Sequence, residues 1–414
     1  MWTWLLWGSV AAVLYAYAGY PFILYLLGRF SRRRVVCSRC ASPAVTLIIS
    51  AYNEARVIRR KLENSLDLDY PRQLLDIVVA SDGSDDDTVA IASEYIEWGV
   101  RVVHQAVRRG KSAMLNDVLA SVQSDIVVFT DANAMFERGA VRRLACAFED
   151  DAVGCVVGRL AYAEDGATSA GRGEGMYWRY EGMISRLESR IGHVCVANGS
   201  IFAARTPMVR HLYPEVANDF QIPVDVAAAG ADIVYEPAAV ARECVAHHWQ
   251  EEFGRKVRIV LRGFTGFSAL HRRIGGFRRF QFISHKLLRW QVGWLMIIAF
   301  ISSAVLSRQS LFYAIVTAAQ IGFYALAAVG WMRRCRPASQ RVFYIPFYFT
   351  LVNCAALVAT VRFAMGRRQS LWEKAESTRR DLPAVVAVVP ATAVAPATAT
   401  TDREVEVAPE LAEN

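Results

Sequence analysis

Three apolar runs in this chain each end in a cluster of oxygen-bearing side chains, and a further carboxylate stands well downstream. Val45-Thr46-Leu47-Ile48-Ile49 runs into Ser50-Ala51-Tyr52-Asn53-Glu54. Leu75-Asp76-Ile77-Val78-Val79-Ala80 runs into Ser81-Asp82-Gly83-Ser84-Asp85-Asp86-Asp87, and Ile126-Val127-Val128-Phe129-Thr130 into Asp131-Ala132-Asn133. Two oxygen donors two residues apart, as in Asp131 and Asn133, can address one hard cation. Asn in the second place keeps a carbonyl oxygen but removes a charge. Arg108-Arg109-Gly110-Lys111-Ser112 sets a flexible glycine and a lysine ahead of a helical stretch, which lets backbone N–H groups and an ammonium approach phosphate oxygens. The upstream glycines of a Walker A loop are absent. Asp219, in Asn218-Asp219-Phe220, follows Asn198-Gly199-Ser200 and a helix-like stretch at 206–212, and a carboxylate is a residue type that can act as a general base. Asn218 gives it no acidic neighbour, so like-charge repulsion from that side does not raise its pKa. Asp85, Asp86 and Asp87 read as capping for a helix that starts near Thr88.

Short β-branched runs separated by helical stretches predict an α/β domain with a parallel sheet covered on both faces. Ligands in such sheets bind where the strands' carboxyl ends emerge, so the acidic clusters should line one crevice. The rest of the chain is far more apolar. Hydrophobic residues make up 54% of the 414 positions, concentrated in blocks. Residues 2–27 carry no charge and are long enough to cross a hydrocarbon core of about 30 Å. A cleaved signal peptide is the competing reading, but no Lys or Arg precedes the run and it exceeds a signal core in length. Further candidate spans lie at 292–306, 311–332 and 342–365, interrupted in the last by Pro346 and Asn353. Segment 277–290 mixes Arg278, Arg279, His285, Lys286 and Arg289 with aromatic and aliphatic residues, as a helix lying in the headgroup region would. The expected organisation is an anchor at 1–28, a catalytic domain at 43–275, the interfacial helix at 277–290, a membrane region at 291–366 and a disordered tail at 382–414.

Arg29, Arg32, Arg33, Arg34 and Arg39 flank the first span and place the following domain in the cytoplasm. Three straight C-terminal crossings would send Arg367, Arg368 and Lys374 outside, against the same rule. A re-entrant last segment removes the conflict, and the span count stands at three to five. The net charge of +8 lies largely beside membrane segments, where it serves anionic lipids rather than nucleic acid. Cys37 and Cys40 form a C-x-x-C without a second pair at zinc-finger spacing. Adjacent His247 and His248 point to different faces and chelate one ion poorly.

The acidic loops, the Gly-Lys segment, Asp131-Ala132-Asn133 and the downstream Asp219 occur in the order found in glycosyltransferase family 2. Over residues 43–275 the chain resembles these inverting enzymes, which include the membrane synthases of cellulose, chitin, hyaluronan and poly-N-acetylglucosamine. The resemblance implies a GT-A type nucleotide-sugar-binding domain with a mixed, mainly parallel sheet. It implies Glu54 and Asp82 on the nucleoside of a UDP-linked sugar, Lys111 on its phosphates, and Asp131 and Asn133 at a magnesium or manganese ion. Asp219 would be the base. The family's Q-x-x-R-W is replaced by Arg255-Lys256-Val257-Arg258-Ile259; Arg258 can still serve the leaving diphosphate, while the missing Trp weakens the case for a long polymer. The implied enzyme sits in the inner membrane of a bacterium and extends an exopolysaccharide or lipid-linked glycan for the cell envelope. Two alternatives stand beside it: a single-addition transferase on a polyprenyl or other lipid acceptor, and a catalytically silent membrane scaffold. Intact Asp82, Asp131 and Asp219 argue against silence. Donor sugar, acceptor and the need for a partner subunit are not legible.

Overall fold

The computed structural model describes residues 1–31, 42–163, 169–244, 248–333, 341–368 and 378–379. Arg32 to Arg34, Cys37, Arg39, Cys40, His247, Lys374 and the tail at 382–414 lie outside them. The chain opens with one long helix, α1 (Trp2–Phe30), which passes through a π-helical turn at Tyr15–Gly19. The sheet follows: β1 (Val45–Ala51), β2 (Leu75–Asp82), β3 (Val100–Gln105), β4 (Ile126–Asp131), β5 (Met135–Phe136), β6 (Val153–Ala163), β7 (Phe202–Arg205) and β8 (Asp232–Cys244). The strand order is β3-β2-β1-β4-β7-β6-β8-β5. β3, β2, β1 and β4 are parallel, and β7 is antiparallel to both β4 and β6. The acidic loops therefore leave the same edge of the parallel half.

The apolar runs behave as a doubly covered sheet demands. Leu47 and Ile49 of β1 pack to one side with Leu62, Ile77 and Val128. Ile48 points to the other, with Val78, Phe129, Leu115 and Phe202, because successive strand residues face opposite ways. Phe129 and Phe202 stack at 4.8 Å. Such a run has no solvent face, hence no polar alternation.

The helices that matter for the site are α2 (Lys111–Leu119), α3 (Ser169–Ser189), α4 (Asn218–Ala228), α5 (Trp249–Leu270), α6 (Leu288–Leu306), α7 (Leu311–Met332) and α8 (Arg341–Ala364). The expected helix at 206–212 is not formed. A single 3-10 turn, Thr206–Met208, contains Pro207, and the chain then runs extended to Leu212, whose N–H donates to Asn116 Oδ1 at 2.9 Å. Among the aspartates after β2, Asp87 holds the N-cap place but makes no side-chain cap bond, and it is Asp86 whose Oδ1 accepts from Thr88 N at 3.0 Å. Asp85 instead accepts from Asn53 Nδ2 at 2.5 Å, tying the first two loops together.

By length and composition α1, α7 and α8 could each cross a membrane, and Gly276–Trp290 with Val292–Leu306 passes as a pair bent by 57°. In segment 277–290 three of the basic groups, His285, Lys286 and Arg289, turn inward. Lys286 Nζ and Arg289 Nη1 reach Glu181 at 2.8 and 2.5 Å, and His285 stands between Glu181 and Glu188. Glu188 also accepts from Tyr20 of α1 at 2.6 Å. A buried charge survives only when paired and hydrogen-bonded, so this network joins α1, α3 and α6 beneath the domain. Helix α8 is half buried because it runs along α5: Ala355, Ala356 and Ala359 pack on Val257, Val260, Leu261 and Phe264, and Tyr348 donates to Glu252 at 3.1 Å.

Candidate functional site

The first two loops are laced before any ligand is considered. Asn53 takes a left-handed backbone with φ +54, a conformation open to Asn because its short amide can bond locally. Its N–H donates to Ser84 Oγ at 3.1 Å, and Glu54 N donates to Thr88 Oγ1 at 2.7 Å. Asp82 sits 4% exposed and accepts the N–H groups of Arg109 at 2.8 Å and Gly110 at 3.0 Å. Its carboxylate thus holds the Gly-Lys segment in place. That grip depends on Gly83, whose φ is +67 and whose missing Cβ would lie 2.5 Å from Arg108 N. We predict that Gly83→Ala displaces the 108–110 backbone and weakens nucleotide affinity about tenfold or more, a cost of roughly 1–3 kcal/mol for a strained residue; calorimetric titration with UDP measures it.

Lys111 opens α2 and extends to Asp131 Oδ1 at 2.6 Å. Both face a cavity of about 340 Å³ together with Asn133, Asp219 and Arg258. Five of the seven residues singled out from sequence therefore meet in one space. Glu54 and Asp82 are not part of its lining; they lie behind it, at the ends of β1 and β2. Asp219 stands in the first turn of α4, and Gly199 leaves it room: a Cβ there would lie 3.1 Å from Asp219 Oδ2. Burial raises the Asp219 pKa above the ordinary carboxylate value, and Asp131 adds to the rise while Lys111 and Arg262 oppose it. Asn218 does spare Asp219 an acidic sequence neighbour; desolvation and a carboxylate distant in sequence supply the shift instead.

The replaced motif on α5 divides its labour. Arg255 is tied to Glu252 at 3.0 Å and to Glu174, and Lys256 to Glu252 at 3.3 Å. Arg258 lines the cavity, and so does Arg262, four residues on and hence on the same helix face. Arg262 Nε has no hydrogen-bond partner among the described residues, and the charge of Arg262 acts on Asp219 and Asp131. The spacing of Arg258 and Arg262 was visible in the sequence and could have flagged the second arginine.

Three further residues had no local signal. Arg379 is 8% exposed and Glu54 fully buried; the guanidinium grips the carboxylate through Nε at 2.9 Å and Nη2 at 2.5 Å. Lys61, under the third loop, donates to Thr130 Oγ1 at 3.2 Å and to the Ala134 carbonyl, and burial pushes its pKa down to about 7. Glu243, at the end of β8, lines the cavity; burial and the nearby Asp131 push its pKa up to about 7.

A half-parallel, half-antiparallel sheet whose strand ends converge on an Asp-x-Asn, a lysine and a half-buried aspartate defines a nucleotide-sugar-binding fold of the GT-A type. The same architecture occurs in mannosyltransferase PcManGT from Pyrobaculum calidifontis, solved in complex with GDP-Man and Mn2+: the TM-score is 0.68 at 22% identity, covering 88% of this chain and 99% of that one. That is a likeness of fold. Residues 46–212 match the family described as Glycosyl transferase family 2, and the chain carries a glycosyltransferase domain of that family. Among curated relatives, the probable glycosyltransferase YdaM of Bacillus subtilis is 26% identical over 253 residues, 56% of this chain and 59% of that protein. A beta-monoglucosyldiacylglycerol synthase of Synechocystis is 33% identical over 139 residues, 32% of this chain and 29% of that protein. The chain thus aligns with little more than half the length of the first relative and under a third of the second.

Proposed function

We propose that this chain is an inverting membrane glycosyltransferase that moves a sugar from a nucleoside diphosphate, UDP in the first instance, to a hydroxyl of a growing exopolysaccharide or lipid-linked glycan at the cytoplasmic face of a bacterial inner membrane. The observation that carries it is the single cavity shared by Lys111, Asp131, Asn133, Asp219 and Arg258. Asp82 and Glu54 serve the nucleoside end. Asp219 takes the proton of the acceptor hydroxyl as its oxygen bonds to the anomeric carbon, while the bond to the diphosphate breaks on the opposite face and inverts the centre. Lys111, Arg258 and Arg262 receive the charge that leaves. Asp131 and Asn133 fit a magnesium or manganese ion as hard oxygen donors, and such an ion would neutralise the departing diphosphate.

A single addition to a lipid acceptor has specific support. The stacking Trp of Q-x-x-R-W is replaced, and the far wall of the cavity is built by the membrane-side helices through Tyr17, Arg289, Trp290 and Asn353. Packing supports one topology. Leu6 near the start of α1 packs with Leu306 at the end of α6, and Trp7 stacks on Phe312 of α7 at 6.2 Å. In this reading α1, α6 and α7 cross the bilayer. Helix α8 lies under the domain along α5, which leaves Arg379 on the catalytic side beside Glu54.

The test is nucleotide release from a panel of UDP- and GDP-sugars by membranes carrying the chain, with lipid and glycan acceptors and magnesium or manganese. Release from one donor, absent in Asp219→Asn, supports the reading; no release from folded protein with any donor and acceptor overturns it. Product length then separates polymerisation from single addition. Truncation gives a further expectation. A chain ending at residue 381 should match the full chain in activity. One ending at 368 lacks Arg379, breaks the buried pair it makes with Glu54 at a cost of about 3–5 kcal/mol, and should lose at least tenfold in donor affinity, read as KM.

A further inference from the structure

We propose that Glu243 is the second carboxylate of a divalent-cation site at Asp131, replacing the charge that Asn133 lacks. The inference deepens the donor-site reading above and rests on it. β5 pairs antiparallel with β8, Met135 opposite Arg242 and Phe136 opposite Ala241. Continued by one step, this register sets Glu243 across from Ala134, beside Asn133. Glu243, Asp131 and Asn133 all line the same cavity.

Glu243 is 6% exposed, and its Oε1 has no hydrogen-bond partner among the described residues; the Ser200 hydroxyl lies beside the carboxylate and favours its charged form. The cations within electrostatic reach are Lys61 and Arg379, and each is committed elsewhere, Lys61 to Thr130 and the Ala134 carbonyl and Arg379 to Glu54. A buried carboxylate oxygen left without a partner costs free energy. A hard cation between Asp131 and Glu243 removes that cost for Glu243, and the Asn133 carbonyl completes a three-oxygen set of the kind such ions take. The third loop then needs no second Asp, because β8 supplies the charge from a position distant in sequence.

The test measures manganese binding, not turnover. Mn2+ affinity of the full-length protein in detergent, with and without UDP, is read from the free-ion paramagnetic resonance signal. Glu243→Gln keeps the shape and removes the charge. It should weaken Mn2+ binding by at least the roughly 10- to 100-fold that loss of a supporting partner costs at metal sites, while uridine affinity stays unchanged. Asn133→Asp in the Glu243→Gln background should recover most of the loss by returning the charge to the third loop. Unchanged Mn2+ affinity in Glu243→Gln, with an altered melting temperature, would make Glu243 a counter-ion of Lys61 and Arg379 and sink the proposal. Glycosyl transfer that persists in EDTA, with no Mn2+ bound by the wild type, would overturn the cation site and leave the transferase reading standing.

Discussion

Asp219→Asn is expected to abolish sugar transfer while leaving donor binding intact, with kcat lower by about 10²–10⁴, the usual contribution of a positioned general base. The amide matches the carboxylate in size, so Gly199 and the start of α4 keep their places, but it cannot accept the acceptor's proton. The pH profile gives a second readout. Transfer needs ionised Asp219, so the rate falls as pH drops through its pKa. Burial holds that pKa above the ordinary carboxylate value, and the acid limb should lie correspondingly high. Arg262 pulls the other way, so Arg262→Met should move the limb to still higher pH. A profile that stays put in that variant, or a fully active Asp219→Asn, would assign the proton transfer to another group.

Asp131→Ala is expected to lower kcat/KM by roughly 10²–10³, the scale seen when one preorganised electrostatic partner of a transition state is removed. The loss has two sources that can be separated. Lys111 Nζ, 2.6 Å from Asp131 Oδ1 with both side chains largely buried, would lose that partner, and breaking a buried ion pair costs about 3–5 kcal/mol. Part of the defect would therefore be a lower melting temperature. Adding Lys111→Met removes the other half of the broken pair and should restore much of the thermal stability. It should restore none of the activity, because the donor's phosphates then meet neither group. Recovery of turnover in the double variant would reduce both residues to a structural pair.

Much of this site was readable along the chain because its determinants are local. Apolar β-branched runs report buried parallel strands wherever they fall, and a strand end marks where its loop begins. Asp82, Lys111, Asp131 and Asn133 follow from that arithmetic, and Asp219 from its order relative to Asn198-Gly199-Ser200. The same logic located the apolar helices, since length and absence of charge are properties of a segment. What failed was also instructive. The stretch at 206–212 has helical composition, yet Pro207 and the hold of Asn116 on Leu212 keep it from forming more than one turn. The basic groups of 277–290 suit a headgroup layer in composition, but Glu181 and Glu188 on another helix recruit several of them inward.

The sequence by itself determined the strands, the loops at their carboxyl ends, the long apolar helices and the residue types placed in those loops, because each is encoded within a few consecutive positions. Only the tertiary structure decided that Glu243 stands beside Asn133, that Arg379 closes on Glu54, that Arg262 shares a cavity with Asp219, and that α8 lies along α5. Those placements depend on strand register, on helix packing and on which buried charges find partners, and such terms join residues far apart in the chain that carry no local mark of their meeting.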